Sequence, residues 1–152
     1  MKINRILCVC TGNICRSPLA EGLVRKYAPF VEVGSAGIGA VVGGSLPSAA
    51  LDIAQREGLG LESHRGRQVT SPIIRSSDLV VVMENEQKSW LLSNFPEARG
   101  RVFLLTHWGS QKDIDDPYRL GADVFERVFC EIDEAVGSWM KRIGAAEREQ
   151  VG

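Results

Sequence analysis

Apolar residues fall along this chain in two kinds of run. Four runs are short and nearly continuous: Ile3 to Val9, Val31 to Gly34, Leu79 to Met83 and Arg101 to Leu105. Continuous rather than alternating apolarity suits strands covered on both faces. Between them the apolar positions recur at helical spacing. Ser17-Pro18 predicts a helix start, a capping hydroxyl followed by proline in the first turn, with Leu19, Ala20, Leu23, Val24 and Tyr27 on one face. A second helix is predicted over Pro47 to Glu57, stopped by Gly58, and a third over Glu86 to Phe95, before Pro96. The longest stripe, Phe125, Val128, Phe129, Ile132, Val136, Trp139 and Ile143, predicts a long amphipathic helix. The polar residues Ala145 to Gly152 are expected to fray.

Strands alternating with helices argue for an α/β fold built on a doubly wound parallel sheet. Ligands of such sheets bind beyond the carboxyl ends of the strands, where the strand order reverses. The segment after the first run, Cys10-Thr11-Gly12-Asn13-Ile14-Cys15-Arg16-Ser17, lies at such an end. No repeat, linker or low-complexity stretch divides the chain, so residues 1–152 are expected to form a single domain, large enough to bury a real core.

Composition narrows the field. With 44% apolar and 24% charged residues and a net charge of −1, the chain has no cationic surplus for binding nucleic acid. The first apolar run is interrupted by Asn4 and Arg5, unlike a secretory signal, and no window nears the roughly 18 apolar residues of a membrane span. A cytoplasmic location without membrane insertion is expected. Three of the four cysteines crowd between Cys8 and Cys15, which is not how disulfide scaffolds spread their staples. With no Cys-x-x-Cys pair and two histidines, neither a metal nor another cofactor is expected.

The Cys10–Ser17 segment puts a thiol and a guanidinium at the two ends of a tight loop joining strand to helix. A phosphate monoester repels anionic nucleophiles, so its attacker needs surrounding positive charge. Cysteine attacks only as thiolate, and a free thiol, with a pKa of about 8.5, is mostly protonated at pH 7. A helix N-terminus and a nearby arginine both favour the anion. Backbone N–H groups from Thr11 through Gly12, Asn13, Ile14 and Cys15 to Arg16 could converge on phosphoryl oxygens, with Gly12 permitting the turn. Arg16 would add a planar bidentate fork, and Ser17 a hydrogen bond to the Cys10 sulfur. Cys-x5-Arg alone is a weak signal; the glycine, the serine, the preceding strand and the following helix strengthen it.

The leaving oxygen needs a proton. Asp116, in Asp115-Asp116-Pro117-Tyr118, is the best candidate, presented by a turn that Pro117 stiffens. By itself Asp-Pro is usually only a turn initiator. Two adjacent carboxylates disfavour joint ionisation, so Asp115 is expected to help keep Asp116 protonated as an acid.

Cys-Thr-Gly-Asn-Ile-Cys-Arg-Ser-Pro and, about a hundred residues later, Asp-Pro-Tyr together resemble the low-molecular-weight protein tyrosine phosphatases. The likeness spans the chain through Ser35-Ala36-Gly37, His64 with Arg67-Gln68, and Asp78 to Met83 with Glu84. The stretch from Phe103 to Trp108 is most similar to a Gram-negative branch encoded beside capsule and exopolysaccharide genes. The resemblance implies a four-stranded parallel sheet of order 2-1-3-4 with helices on both faces. It implies Cys10 as nucleophile, Arg16 as phosphate clamp, Ser17 tuning the thiolate, Asp116 as general acid and then base, and Tyr118 at the pocket mouth. It further implies Asn13, Ser35 and His64 as the network supporting the loop, and Cys15 as a partner able to form a protective disulfide with Cys10. A buried structural thiol is the competing reading of Cys15. The implied partner is a phosphotyrosine protein, a bacterial tyrosine autokinase controlling exopolysaccharide production, met by a monomeric phosphatase.

Two positions depart from the family pattern. Thr11 stands where many members carry an aliphatic residue, and the loop Ile38-Gly39-Ala40-Val41-Val42 lacks an aromatic wall residue. Three other functions are weighed. An arsenate reductase would need a closely spaced cysteine pair mid-chain, and none lies between Cys15 and Cys130. A protein-arginine phosphatase would carry a small hydroxyl residue where Ile14 stands. A phosphate-binding module without catalysis would need neither Cys10 nor Asp116.

Overall fold

A computed structural model describes residues 2–151, with side chains over 2–144. The elements run β1 (Arg5–Cys10), α1 (Arg16–Tyr27), β2 (Glu32–Gly37), α2 (Ser48–Arg56), α3 (Ser71–Arg75), β3 (Leu79–Val82), α4 (Asn85–Asn94), β4 (Val102–Leu104) and α5 (Ala122–Val151). All strand pairings are parallel and the order is β2-β1-β3-β4, as expected. β1 is therefore central, and its carboxyl end falls at the reversal of strand order.

Alternate residues of β1 and β3 enter two cores. Ile6, Cys8, Leu79 and Val81 join α1, α2 and α5 on one face. Leu7, Val9, Val80 and Val82 join Ile74 of α3 and Leu91 of α4 on the other. The full α5 stripe from Phe125 to Ile143 is buried as its periodicity predicts. Tyr27, expected on the buried face of α1, is exposed instead; its hydroxyl donates to Asp133 of α5, which pushes the phenol up to about 12.

Element ends differ from expectation for identifiable reasons. β1 starts at Arg5 rather than Ile3, because one Asp78 carboxylate oxygen accepts the N–H groups of both Asn4 and Arg5 at 2.9 Å. β2 runs on to Gly37, since small residues suit the crowded ground under the loop. A Cβ on Gly37 would lie 2.4 Å from the Thr11 carbonyl oxygen. β3 ends before Met83, whose N–H is taken by the Gln87 side chain at 2.9 Å. Leu105, expected to end β4, instead opens a 3-10 turn. Helix α3 has no counterpart among the predicted elements; five residues are too few to show a period. α2 is one residue shorter at each end than expected, at Ser48–Arg56, and α4 is shifted back by one, at Asn85–Asn94. Residues 145–151, expected to fray, instead continue α5 to Val151, and Gly152 lies outside the described residues. Among the described residues no helix is long and apolar enough to cross a membrane.

Candidate active site

Cys10 is the last residue of β1, and the loop from Thr11 to Cys15 leads into α1 at Arg16. The helix therefore starts one residue before the expected Ser17-Pro18. Cys15 occupies the capping position without a side-chain cap, and Ser17 does not serve as one. Its Oγ lies 2.9 Å from the Cys10 sulfur, which also receives the Asn13 N–H at 3.2 Å. Pro18 is tolerated because N–H groups in the first turn have no intrahelical acceptor.

The residue that makes the turn is Asn13 and not Gly12. Asn13 has φ 58°, whereas Gly12 lies outside the left-handed region and has room for a Cβ. Asparagine tolerates this conformation best among residues with a side chain. Its fully buried amide is also a hub. Nδ2 donates to Ser17 Oγ and Ser35 Oγ, both at 2.9 Å, and Oδ1 accepts the Arg67 N–H at 2.9 Å. Ser35 in turn donates to Glu21 at 2.6 Å. Ser17 Oγ accepts from Asn13 and keeps its own proton, and since a thiolate can only accept, toward an ionised sulfur the hydroxyl is the donor. His64 Nε2 lies 2.7 Å from the Asn13 carbonyl. A carbonyl can only accept, so Nε2 carries the proton.

Arg16, 2% exposed, is held along one edge. Its Nη1 donates to the Ile114 carbonyl at 2.7 Å and lies 2.8 Å from Glu84 Oε2. Nη1 is thereby engaged by one hydrogen bond and one ion pair, and the Nε/Nη2 edge remains as a fork for a tetrahedral anion. Nη2 is 3.8 Å from Asp116 Oδ2. Arg16 and Cys10 both line one cleft.

That cleft, of about 190 Å³, is lined by residues 10–16 together with Gly39, Val41, Asp116 and Tyr118. Asp116 closes a turn on itself, its Oδ1 accepting the Tyr118 N–H at 3.1 Å, and its side chain is 51% exposed at the mouth. Asp115 faces away, 3.3 Å from Arg127 of α5. Val41 and the 45% exposed Tyr118 are both at the rim, so one flank is aliphatic and the other aromatic. Other clefts, of about 250 and 360 Å³, are larger, yet neither is lined by a cysteine. A thiol facing a cationic fork decides more than volume.

The expected residues thus meet in one place: Cys10, Thr11, Gly12, Asn13, Ile14, Cys15, Arg16, Asp116 and Tyr118 line the cleft, with Ser17, Ser35 and His64 behind it. Cys15 is buried, and burial first, then repulsion from Cys10 and Asp116, pushes its thiol up to about 12 despite Arg16. It stays un-ionised at neutral pH. Sequence reasoning misses Gln87 and the Ile114 carbonyl. A backbone acceptor leaves no trace in residue type. Gln87 does leave one, standing three residues after Glu84 in the spacing of a capping box.

Comparison with known proteins agrees with this geometry. The chain is 43% identical over 143 residues to the low molecular weight protein-tyrosine-phosphatase Etp of Escherichia coli K12, covering 94% of this chain and 97% of that one. The crystal structure of the tyrosine phosphatase Wzb from Escherichia coli K30 in complex with sulphate superimposes with a TM-score of 0.89 at 39% identity, over 93% of this chain and 99% of that one. The YwlE arginine phosphatase from Geobacillus stearothermophilus gives 0.89 at 32% identity, over 96% of both chains. With a sulfur, an arginine fork and a carboxylate around one anion-sized cleft, and residues 5–149 matching the family throughout, the chain belongs to the low molecular weight phosphotyrosine protein phosphatases.

Proposed function

We propose that the chain, acting as one domain, hydrolyses phosphotyrosine monoesters through a cysteinyl-phosphate. The Cys10 sulfur attacks phosphorus in line; the S–P bond forms as the P–O bond breaks, and Asp116 gives its proton to the departing phenolic oxygen. Backbone N–H groups of the loop and the Nε/Nη2 edge of Arg16 hold the three equatorial oxygens. Water then attacks phosphorus, the Asp116 carboxylate takes its proton, and the S–P bond breaks. Ser17 O–H and Asn13 N–H receive the thiolate that leaves. No step requires a cofactor or metal.

The observation that carries this reading is the convergence of Cys10 Sγ, the fork of Arg16 and Asp116 on a single cleft. Tyr118 supports an aromatic substrate, offering a face for the phenyl ring at the mouth. A bacterial tyrosine autokinase is the partner that fits, in a cytoplasmic setting where the phosphatase works as a monomer on exopolysaccharide control. This rests on likeness to the Gram-negative branch.

Hydrolysis of para-nitrophenyl phosphate by wild type and Cys10→Ser, without added metal, tests the chemistry. Wild type is expected to turn over and Cys10→Ser to be silent; activity retained by the serine variant would overturn the covalent route. The likeness to an arginine phosphatase makes phosphoarginine the one competing substrate. Matched phosphotyrosine and phosphoarginine peptides separate the two, with phosphotyrosine expected to be favoured because the branched Ile14 lines the cleft where an arginine phosphatase would carry a small hydroxyl residue.

A further inference from the structure

Gln87 is 1% exposed, lies outside the cleft lining, and uses its whole hydrogen-bonding capacity. Its Oε1 accepts the N–H groups of Met83 at 2.9 Å and Glu84 at 3.0 Å. Only the oxygen can accept, so the orientation of the amide is settled. Its Nε2 then donates to Glu84 Oε2 at 2.9 Å and to Thr11 Oγ1 at 3.1 Å.

These two donations reach opposite ends of the phosphate loop. Glu84 Oε2 is the same oxygen that lies 2.8 Å from Arg16 Nη1, so Gln87 fixes the carboxylate that fixes the guanidinium. Thr11, directly after Cys10, has its hydroxyl oxygen occupied as an acceptor and its proton left to donate toward a bound anion. The acceptor half of Gln87 does something else, forming with Glu84 the capping box that starts α4.

We infer that Gln87 is a positioning residue for phosphoryl binding, its amide N–H groups aligning Arg16 through Glu84 and setting Thr11 as a donor. It touches neither substrate nor the reacting atoms. The inference rests on the phosphatase reading above.

Gln87→Glu separates the two halves. A glutamate keeps the acceptor oxygen, suits the third position of a capping box, and removes both donors. It also places a carboxylate beside Glu84, which competes for Arg16. Kinetics on para-nitrophenyl phosphate, inhibition by inorganic phosphate and thermal midpoints would be measured for wild type, Gln87→Glu and Gln87→Ala. Gln87→Glu is expected to keep a thermal midpoint near wild type yet lose about tenfold in kcat/KM, with weaker inhibition by phosphate, a loss typical of removing an orienting partner. Gln87→Ala is expected to lose both midpoint and activity. If Gln87→Glu retains wild-type kcat/KM and phosphate inhibition, the residue serves only as a cap and the inference fails. If wild type itself does not turn over, it is the phosphatase reading that fails.

Discussion

At the scale of single residues, the site depends on atoms with two duties each. Asn13 shapes the loop with its backbone and braces it with its amide. Asn13→Ala should leave the Arg67 N–H without its acceptor and put alanine in the left-handed region. The expected cost is about 3 kcal/mol in urea unfolding, together with a large fall in kcat; an unchanged midpoint would remove Asn13 from its central place. For Asp116→Asn, aryl phosphates of graded leaving-group pKa are the measurement. Poor leaving groups should slow far more than good ones, and equal slowing would argue against an acid at that position. The catalytic residues are legible in the sequence because their chemistry needs particular side chains. The bonds that aim them are not, since Ile114 contributes a carbonyl that any residue carries and Asp115 turns toward an arginine on a distant helix.

At the scale of elements, a crossing of backbones limits what can stand under the loop. Gly37 ends β2 beneath the phosphate loop, with the Thr11 carbonyl where a Cβ would go. Gly37→Ala is expected to displace the loop, costing about 2 kcal/mol in stability and more in kcat than in KM. A crystal structure of the variant with an undisturbed loop would refute this. Continuous apolar runs reveal the four strands, and the α5 stripe its full buried face. Strand ends are less visible, because Asp78 and Gln87 end the ladders with side chains from other elements. The hydroxyl of Ser17 looks like a cap in the sequence and is not one for a similar reason: a nearer sulfur and the Asn13 amide use it instead.

At the scale of the whole molecule, buried thiols link stability to pH. Cys8, held well above its ordinary value by burial, and Cys15, pushed up to about 12, keep their protons in the folded chain. The unfolded chain releases them from about pH 8.5. Between about pH 8.5 and 12 the folded state binds more protons, so stability falls as pH rises; below that window the contribution is complete. The slope is about 1.4 kcal/mol per pH unit for each group. Urea melts at pH 8 and 10 should show the decline, and Cys15→Ala should make it shallower, leaving the part due to Cys8; an identical decline would clear Cys15 of the effect. By contrast, Ile132→Ala in α5, fully buried and outside the cleft lining, is expected to cost about 2–5 kcal/mol while leaving kcat unchanged at temperatures where the variant stays folded.

The central place of β1 has a consequence for how the chain becomes competent during synthesis. Cys10 and Arg16 leave the ribosome before the residues that support them, which lie later in the chain. Ser35 and His64 come next, then Glu84 and Gln87, and last Ile114 and Asp116. β1 also needs β3 on its other side before it is enclosed. A nascent chain carrying both the thiol and the arginine therefore lacks the contacts of Arg16 with Glu84, Ile114 and Asp116 until the segment through Asp116 has emerged. Onset of activity is expected to follow that emergence, which makes it a reporter of late folding.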